Sequence, residues 1–515
     1  MKHKNVEKSP ALSRREFLKT TGGAAALAGM GVTGLVLGPR EVNATELPGE
    51  WDEEFDVVVI GSGFAGLAAA IEAKNVGSSV IVMEKMRVPG GNSIINGGVI
   101  AAANSPLQTN QGIKDSPELL YQDMLKAGLG LNHADLARMV AEKSNETVQW
   151  TISYLGVNYI GLVHLGGHSV PRSYCTYNRS GSAIVSQQLA KLKKLGVQVD
   201  TKRYLMKILR DKGGRVKGVQ IRDGYRFPDE KSGTVKYIKA GKAVVMATGG
   251  FSNDVAFRTI QDPKLTADLD STNQPGATAE ALLEALNIGA TLVQPSWIQL
   301  LPLTSPDEKG FGIAPYFLAG VVFQYGIMVN PATGKRFVSE LADRKVRADA
   351  IIKTGHPCIG IAGAESAERA KWLTERLTRR GIVKEFDTLE ELAAAYKIPF
   401  KPLKETIHNY NLYLADEEDK EFGRSLKRDA EPMTRSPFYT VRIWPKVHHT
   451  MGGIQINTKA QVIGLDRKPI EGLYAAGELA GGVHGAVRLG SCAVVDCLVF
   501  GRIAGRNAAA ESPWS

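Results

Sequence analysis

The chain has 515 residues, 43% hydrophobic and 23% charged, with a formal charge of +10; that globular balance excludes a disordered chain and a coiled coil, and the length calls for several domains. Seven Lys/Arg against three acids in the first 44 residues leave +4 there and +6 in the rest. No basic stripe interleaved with aromatics accompanies the charge, so nucleic acid is not an expected partner, whereas small anions or an acidic protein are.

At the start, Ser13-Arg14-Arg15-Glu16-Phe17-Leu18-Lys19 is a twin-arginine signature. A weakly apolar Ala/Gly run from Gly22 to Leu37 follows, and Val42-Asn43-Ala44 offers a cleavage point. Residues 1–44 therefore read as a bacterial export signal. The alternative, a retained anchor, needs about 20 apolar residues, more than this Gly-rich run holds. No other segment is apolar enough to span a membrane. Twin-arginine export carries folded proteins, so the mature chain is expected in the periplasm with a cofactor loaded beforehand.

Phe55 to Ile60 is an apolar β-branched run, read as a buried parallel strand. Gly61-Ser62-Gly63-Phe64-Ala65-Gly66 opens an Ala-rich helix to about Val76, and a second strand, Val80 to Met83, ends in Glu84. Gly61 permits the tight turn, Gly63 the approach of a pyrophosphate, and Gly66 close helix–strand packing. The helix N-terminus faces the phosphates, and Glu84 can accept ribose hydroxyls. Leu119 to Tyr154 reads as helices, and Val197 to Val219 as short strands around Gly213-Gly214. Ala243 to Gly250 is a strand entering a Gly-rich turn. Residues 305–350 look irregular, and 361–428 form an amphipathic Lys/Glu-rich helical region. Leu473 to Glu478 returns to a strand and turn, before a closing helix from about Ala493 to Ala510. NAD and FAD share the first fingerprint. The further Gly-rich turns Gly90-Gly91-Asn92-Ser93, Ala247-Thr248-Gly249-Gly250 and Ala475-Ala476-Gly477-Glu478 suit an extended FAD held by loops far apart in sequence.

The fold class is therefore α/β: a discontinuous Rossmann-like FAD-binding domain, residues 50–300 and 434–515, with an inserted smaller α+β capping domain, 301–433. The four cysteines, Cys175, Cys358, Cys492 and Cys497, form no C-x-x-C or C-x-x-C-H, so no zinc ribbon, attached haem or other metal site is expected.

The chain resembles the fumarate reductase/succinate dehydrogenase flavoprotein family, in its periplasmic flavocytochrome c-type branch, over residues 50–515. Beyond the turns above, the resemblance rests on Gly334-Lys335-Arg336-Phe337, on His448-His449-Thr450-Met451-Gly452-Gly453, and on Gly481 to Arg488. It implies FAD, a mobile cap, and reduction of a C=C bond beside a carboxylate, with hydride from flavin N5. It gives Arg344 as the proton donor and Arg488 and His449 as the carboxylate clamp. The chemistry agrees, because Arg488 offers a bidentate fork and His449 a donor that strengthens as charge develops. Asp343 and Glu340 are the nearest candidates to reprotonate Arg344.

The expected cofactor contacts begin with Gly61, Gly63, Ala65, Gly66, Glu84 and Lys85. Gly91, Asn92, Ser93, Gly97, Gly98, Ala247, Thr248 and Gly249 follow. The last group is His448, Gly477, Glu478, Arg488, Ser491, Ala493 and Val494. His484 is a further candidate, while His164 and His168 read as loop residues. A haem-free member of this branch implies a separate multihaem cytochrome c as electron donor.

Two stretches depart from the family. Where a His-Pro-Thr is expected the chain reads Gln299-Leu300-Leu301-Pro302-Leu303, and where a Thr-Glu-x-x-Arg is expected it reads Leu318 to Phe323. A dicarboxylate would leave one end against leucine, at a cost of several kcal/mol. The expected substrate is thus a monocarboxylate with an apolar substituent, methacrylate- or acrylate-like, with fumarate second. Trp297, Tyr316 and Phe317 are candidates for the tail pocket. A flavin dehydrogenase or oxidase, such as a ketosteroid dehydrogenase or aspartate oxidase, and a non-catalytic electron carrier are the rival classes.

Overall fold

The computed structural model describes residues 47–514; the twin-arginine stretch lies outside them. The nucleotide half is built on an eight-stranded mixed sheet. Glu53–Ile60 lies between Val80–Glu84 and Thr234–Met246, parallel to both. Val199–Thr201 extends one side and Pro469–Ala475 the other, again in parallel. The chain thus leaves this sheet after residue 246 and returns more than 200 residues later. Val57, Val58 and Val59 are fully buried, as expected of a strand covered on both faces.

The helix Phe64–Asn75 packs against the closing helix Cys492–Ala510 and against Ser182–Lys194. The closing helix fits because it carries glycine where the two axes approach. A Cβ on Gly501 would stand 2.4 Å from the Ala65 carbonyl oxygen, and one on Gly505 2.1 Å from that of Ala69. Nearby, Glu72 receives Arg502 at 2.7 Å and Arg506 at 2.9 Å.

A second, four-stranded antiparallel sheet has the order Ile327–Val329, Cys358–Ala362, Phe438–Ile443, Val383–Phe386. Its side chains alternate between two separate cores. Ile327, Val329, Ile359 and Ile361 face one, with Leu403, Ile407 and Tyr410. Met328, Cys358, Ala362 and Val441 face the other, with Phe317, Leu318, Val321 and Val322. The amphipathic region expected at 361–428 does hold helices, Lys371–Arg379, Leu389–Tyr396 and Phe400–Ala415. It also holds a strand, Val383–Phe386, that its charged sequence concealed. The stretch expected to be irregular contains helical turns over 314–325 and the helix Arg344–Lys353. The second sheet uses Phe438–Ile443, past residue 433, where the sequence put the end of the insert; no glycine-rich break marks the change.

The crossing between the two halves is a two-stranded ladder. Ile298–Leu301 leads out of the first half and Lys446–Thr450 leads back, antiparallel, with Gln299 opposite His449. Among the described residues no helix is long and apolar enough to cross a membrane.

Gly505→Ala should lower stability by about 1–3 kcal/mol, the usual cost of overpacking a fixed contact, against the roughly 1 kcal/mol that alanine otherwise gains in a helix. Urea unfolding read by tryptophan fluorescence measures the difference.

Candidate active site

The Gly-rich turn is held by contacts that only glycine permits. Gly61 has φ +101°, and a Cβ there would meet the Ala247 carbonyl oxygen at 2.3 Å. A Cβ on Gly66 would meet the Gly61 oxygen at 2.0 Å. Beside the turn, Glu84 is buried. One carboxylate oxygen accepts from the Ser62 hydroxyl (2.6 Å) and N–H (3.2 Å), the other from the Met86 N–H (2.8 Å). This fixes the carboxylate and leaves each oxygen further acceptor capacity, as a ribose diol requires. Ser93 Oγ accepts from the N–H of Phe64 at 2.9 Å, which frees its own proton for an anion at the helix N-terminus.

These residues line a cleft whose free space, its solvent-open mouth included, is about 910 Å³. Gly61, Gly63, Ala65, Glu84, Lys85, Gly91, Asn92, Ser93, Ala247, Thr248, Gly249, Gly477 and Glu478 all border it. A second cavity, about 1100 Å³ with its open mouth included, shares Phe64, Asn92, Ser93, Glu478 and Cys497 with the first. It is bordered by Gly97, Arg344, His448, His449, Arg488, Ser491, Ala493 and Val494. Adjoining cavities of this size, a ribose-ready carboxylate at one end and a helix N-terminus between, fit an extended dinucleotide. Two expected contacts border neither. Gly66 serves the packing of the turn, and Gly98 (φ +65°) lies against Thr176 and Ser180.

The second cavity concentrates positive charge. Arg344 is the first residue of its helix, and its Nη1 is buried with no partner. Burial first, then Arg488 and Arg347, push its guanidinium down to about 9, with only Asp343 acting the other way. Arg488 is buried with Nε unpartnered, and donates only to the Leu489 oxygen at 3.4 Å. His449 is buried, its Nδ1 lies 3.4 Å from Glu478 Oε1, and its Nε2 has no partner. His448 pairs Nδ1 with the Thr272 hydroxyl at 2.7 Å. Both imidazoles are held well below the usual histidine range, by burial and then by Arg488.

The surrounding structure fixes these groups. Gln299, paired with His449 across the ladder, donates to the Arg488 carbonyl at 3.2 Å. Ser491 caps the closing helix with φ +62°. That strained backbone is braced by Ser173 Oγ at 2.7 Å from its own Oγ, and by His168 Nε2, 2.7 Å from the Gly490 oxygen. His168 is therefore a buried brace rather than a loose loop residue, pushed down to about 4 by desolvation. His164 lies 2.8 Å from the His168 oxygen. His484 borders neither cavity; it pairs with Asp496 at 3.1 Å and sets its ring 5.6 Å from that of His449.

Of the two relay candidates, Glu340 is fully buried and spends its oxygens on Arg336, Arg424 and the Met328 N–H. Asp343 is exposed and caps the Lys345 N–H at 2.7 Å. The stretch Leu318 to Phe323 is a helical turn that buries Leu318, Val321, Val322 and Phe323 and has no ionisable side chain. The tail-pocket candidates also change. Trp297 and Tyr316 do not border the cavity, and Phe317 is in the core of the second sheet. Leu165, Leu301, Leu303 and Phe311 line it instead. Leu301 and Leu303 are the leucines that mark the departure in sequence. Thr272 and Asn273 also line it, and Gln274, Gly276 and Thr278 line the first cavity. Their signal was the polar Pro-Gly turn of residues 271–278.

The FAD binding domain family matches residues 56–494. The acrylate reductase flavoprotein subunit of Shewanella woodyi is 42% identical over 504 residues, 96% of this chain and 98% of that one. The chain belongs to the fumarate reductase flavoprotein family. Its cofactor is FAD, and it is an FAD-dependent oxidoreductase acting on CH–CH groups. A probable fumarate reductase of Shewanella frigidimarina is 34% identical, covering 89% of this flavoprotein and 75% of that protein. Among solved structures, the open conformation of a flavocytochrome c3 fumarate reductase overlays with a TM-score of 0.76 at 32% identity, over 98% of this chain and 82% of that one. The flavoprotein therefore has the α/β fold expected, with its FAD-binding sheet assembled from separated segments.

Glu84→Ala should weaken FAD binding by about 10–100-fold, as expected for losing a charged hydrogen-bond acceptor. Flavin fluorescence during titration of the apoprotein measures it.

Proposed function

We propose that this flavoprotein is an exported reductase of the C=C bond of an α,β-unsaturated monocarboxylate, acrylate- or methacrylate-like, fed by a separate multihaem c-type cytochrome. One observation carries the substrate class. Two guanidiniums, each with a buried unpartnered nitrogen and neither with a carboxylate partner among the described residues, share a cavity with an apolar wall of Leu165, Leu301, Leu303 and Phe311. A single carboxylate satisfies the arginines. A second one would have to sit near leucine, at a cost of several kcal/mol.

FAD, when bound and reduced by the electron donor, would supply the hydride for the β-carbon. Arg488 and His449 orient the carboxylate and stabilise the charge that builds on it. Arg344 delivers a proton to the α-carbon, and its lowered pKa, about 9, makes it a more competent acid than a free guanidinium. Asp343, exposed beside it, is the favoured route for the returning proton.

The second sheet and its helices, between about residues 302 and 445, serve as the cap, hinged on the ladder of Ile298–Leu301 and Lys446–Thr450. Export rests on the twin-arginine stretch. The separate donor is favoured by the Shewanella woodyi relative's description as a flavoprotein subunit, and the +6 of residues 45–515 suits an acidic partner.

Arg344→Ala should cut viologen-driven enoate turnover by at least about 100-fold, the usual order for removing a general acid, with FAD content unchanged. An anaerobic assay with reduced viologen and acrylate, methacrylate, crotonate, cinnamate, urocanate and fumarate tests the substrate class. Acrylate or methacrylate should turn over fastest. Equal or faster reduction of fumarate overturns the monocarboxylate preference. Rapid oxygen consumption with oxidation of saturated acids overturns the reductase direction.

A further inference from the structure

We propose that Glu478 and His449 act as one unit holding a single shared proton, and that this proton makes His449 Nε2 a hydrogen-bond donor to the substrate carboxylate. Ligand binding is then coupled to proton uptake at the pair. The inference rests on reading the second cavity as a carboxylate site, and it adds Glu478 as a residue that sets affinity through His449.

The geometry gives the pair its isolation. His449 Nδ1 faces Glu478 Oε1 at 3.4 Å, and Glu478 borders both cavities. His449 borders the second cavity, and Nε2, its remaining ring nitrogen, has no partner. Consider the pair without the shared proton. Glu478 is a carboxylate, and the one proton of neutral His449 sits on Nδ1 facing it. Nε2 then presents a lone pair to an incoming carboxylate, which is repulsive. Add one proton from solvent. Whether Glu478 becomes the acid or His449 becomes the imidazolium, Nε2 carries hydrogen. The donor therefore depends on the proton count of the pair, not on which member holds it.

The neighbours decide where the proton resides and when it leaves. Facing His449 are Arg488, Arg344, His448 and the His484 ring, the last held by Asp496. Desolvation first, then the charges of Arg488 and Arg344, disfavour an imidazolium, so the proton rests on Glu478. Facing Glu478 are the Thr450 N–H and hydroxyl at 3.0 and 3.3 Å, Asn92, Arg488 and the half-buried Cys497. Desolvation outweighs the pull of Thr450 and Arg488, and pushes the carboxyl up to about 7. The ligand-free pair is thus charged with its proton below pH 7 and loses it above. Affinity for a carboxylate should be flat below pH 7 and fall about tenfold per pH unit above it.

The test uses oxidised holoenzyme and propionate, a saturated acid that cannot be reduced. Titrations followed by flavin absorbance from pH 5.5 to 8.5 give the affinity. Calorimetry in phosphate and in Tris counts the protons taken up. The expected result is uptake approaching one proton at pH 8.5 and near none at pH 6. Glu478→Gln keeps a hydrogen-bonding partner that does not titrate, so its affinity should be independent of pH. If that variant holds FAD poorly, His449→Gln, which leaves Glu478 in place, should remove the same slope. A wild-type affinity flat to pH 8.5 without proton uptake overturns the coupling, as does a glutamine variant that keeps the slope. Flat binding with intact enoate reduction sinks only the coupling. Failure of propionate to bind at any pH, with FAD in place, sinks the carboxylate reading as well.

Discussion

Two arginines, Arg344 and Arg488, border one cavity, and among the described residues neither has an acid within ion-pair distance, although Glu478 borders the same cavity. Each keeps a buried guanidinium nitrogen without a partner, and each is pushed below its ordinary range, first by desolvation. Buried unpaired charge is among the most expensive arrangements a fold can hold. Other buried arginines are met by acids or carbonyls: Arg172 by Asp115 and Asp123, Arg336 by Glu340 and Asp419, Arg258 by backbone carbonyls, and Arg347 by the Glu340 carbonyl. The cavity arginines differ in bordering open space, where an anionic ligand would complete them.

The rest of the architecture holds that unfavourable pair in place. Arg488 sits in the turn before the closing helix, braced by Gln299, Ser491 and His168. That helix is anchored on the first nucleotide-binding helix by glycine contacts and by Glu72. Arg344 comes from the other half, at the start of a helix packed beside the second sheet. One turn along, Arg347 lies over the Phe323 ring, 4.9 Å from its centroid. The site thus draws one cation from each half, and His449 lies on the ladder between them. Movement at the ladder would change the separation of the charges, so closure and ligand binding would share one electrostatic origin.

Much of the cofactor side was legible in the chain. Gly61, Gly63, Glu84, Asn92 and Ser93 stand within a run of 33 residues that folds as turn, helix, strand and helical turn in succession, and local sequence is enough to place them. The Gly477–Glu478 turn could be read for the same reason. The apolar wall was only half legible. Leu301 and Leu303 appeared as departures from a pattern, whereas Phe311 and Leu165 carry no local signal. Trp297, Tyr316 and Phe317 are aromatic and near in sequence, but their register against neighbouring elements turns them elsewhere. Glu340 looked available because it is an acid near Arg344 in sequence; in space Arg336 and Arg424 occupy it.

The sequence by itself determined the dinucleotide fold, the cofactor and the identities of the charged residues, because backbone sterics at glycine and the periodicity of buried strands act over a few residues. Only the tertiary structure decided which groups go unpaired. That Arg344 shares one cavity with Arg488 and His449, each with a free nitrogen, depends on segments more than a hundred residues apart being brought together, and Glu478 stands behind His449 because a turn and a strand of different sheets meet there. Desolvation is a property of the assembled surroundings, so no reading of neighbours along the chain could supply it.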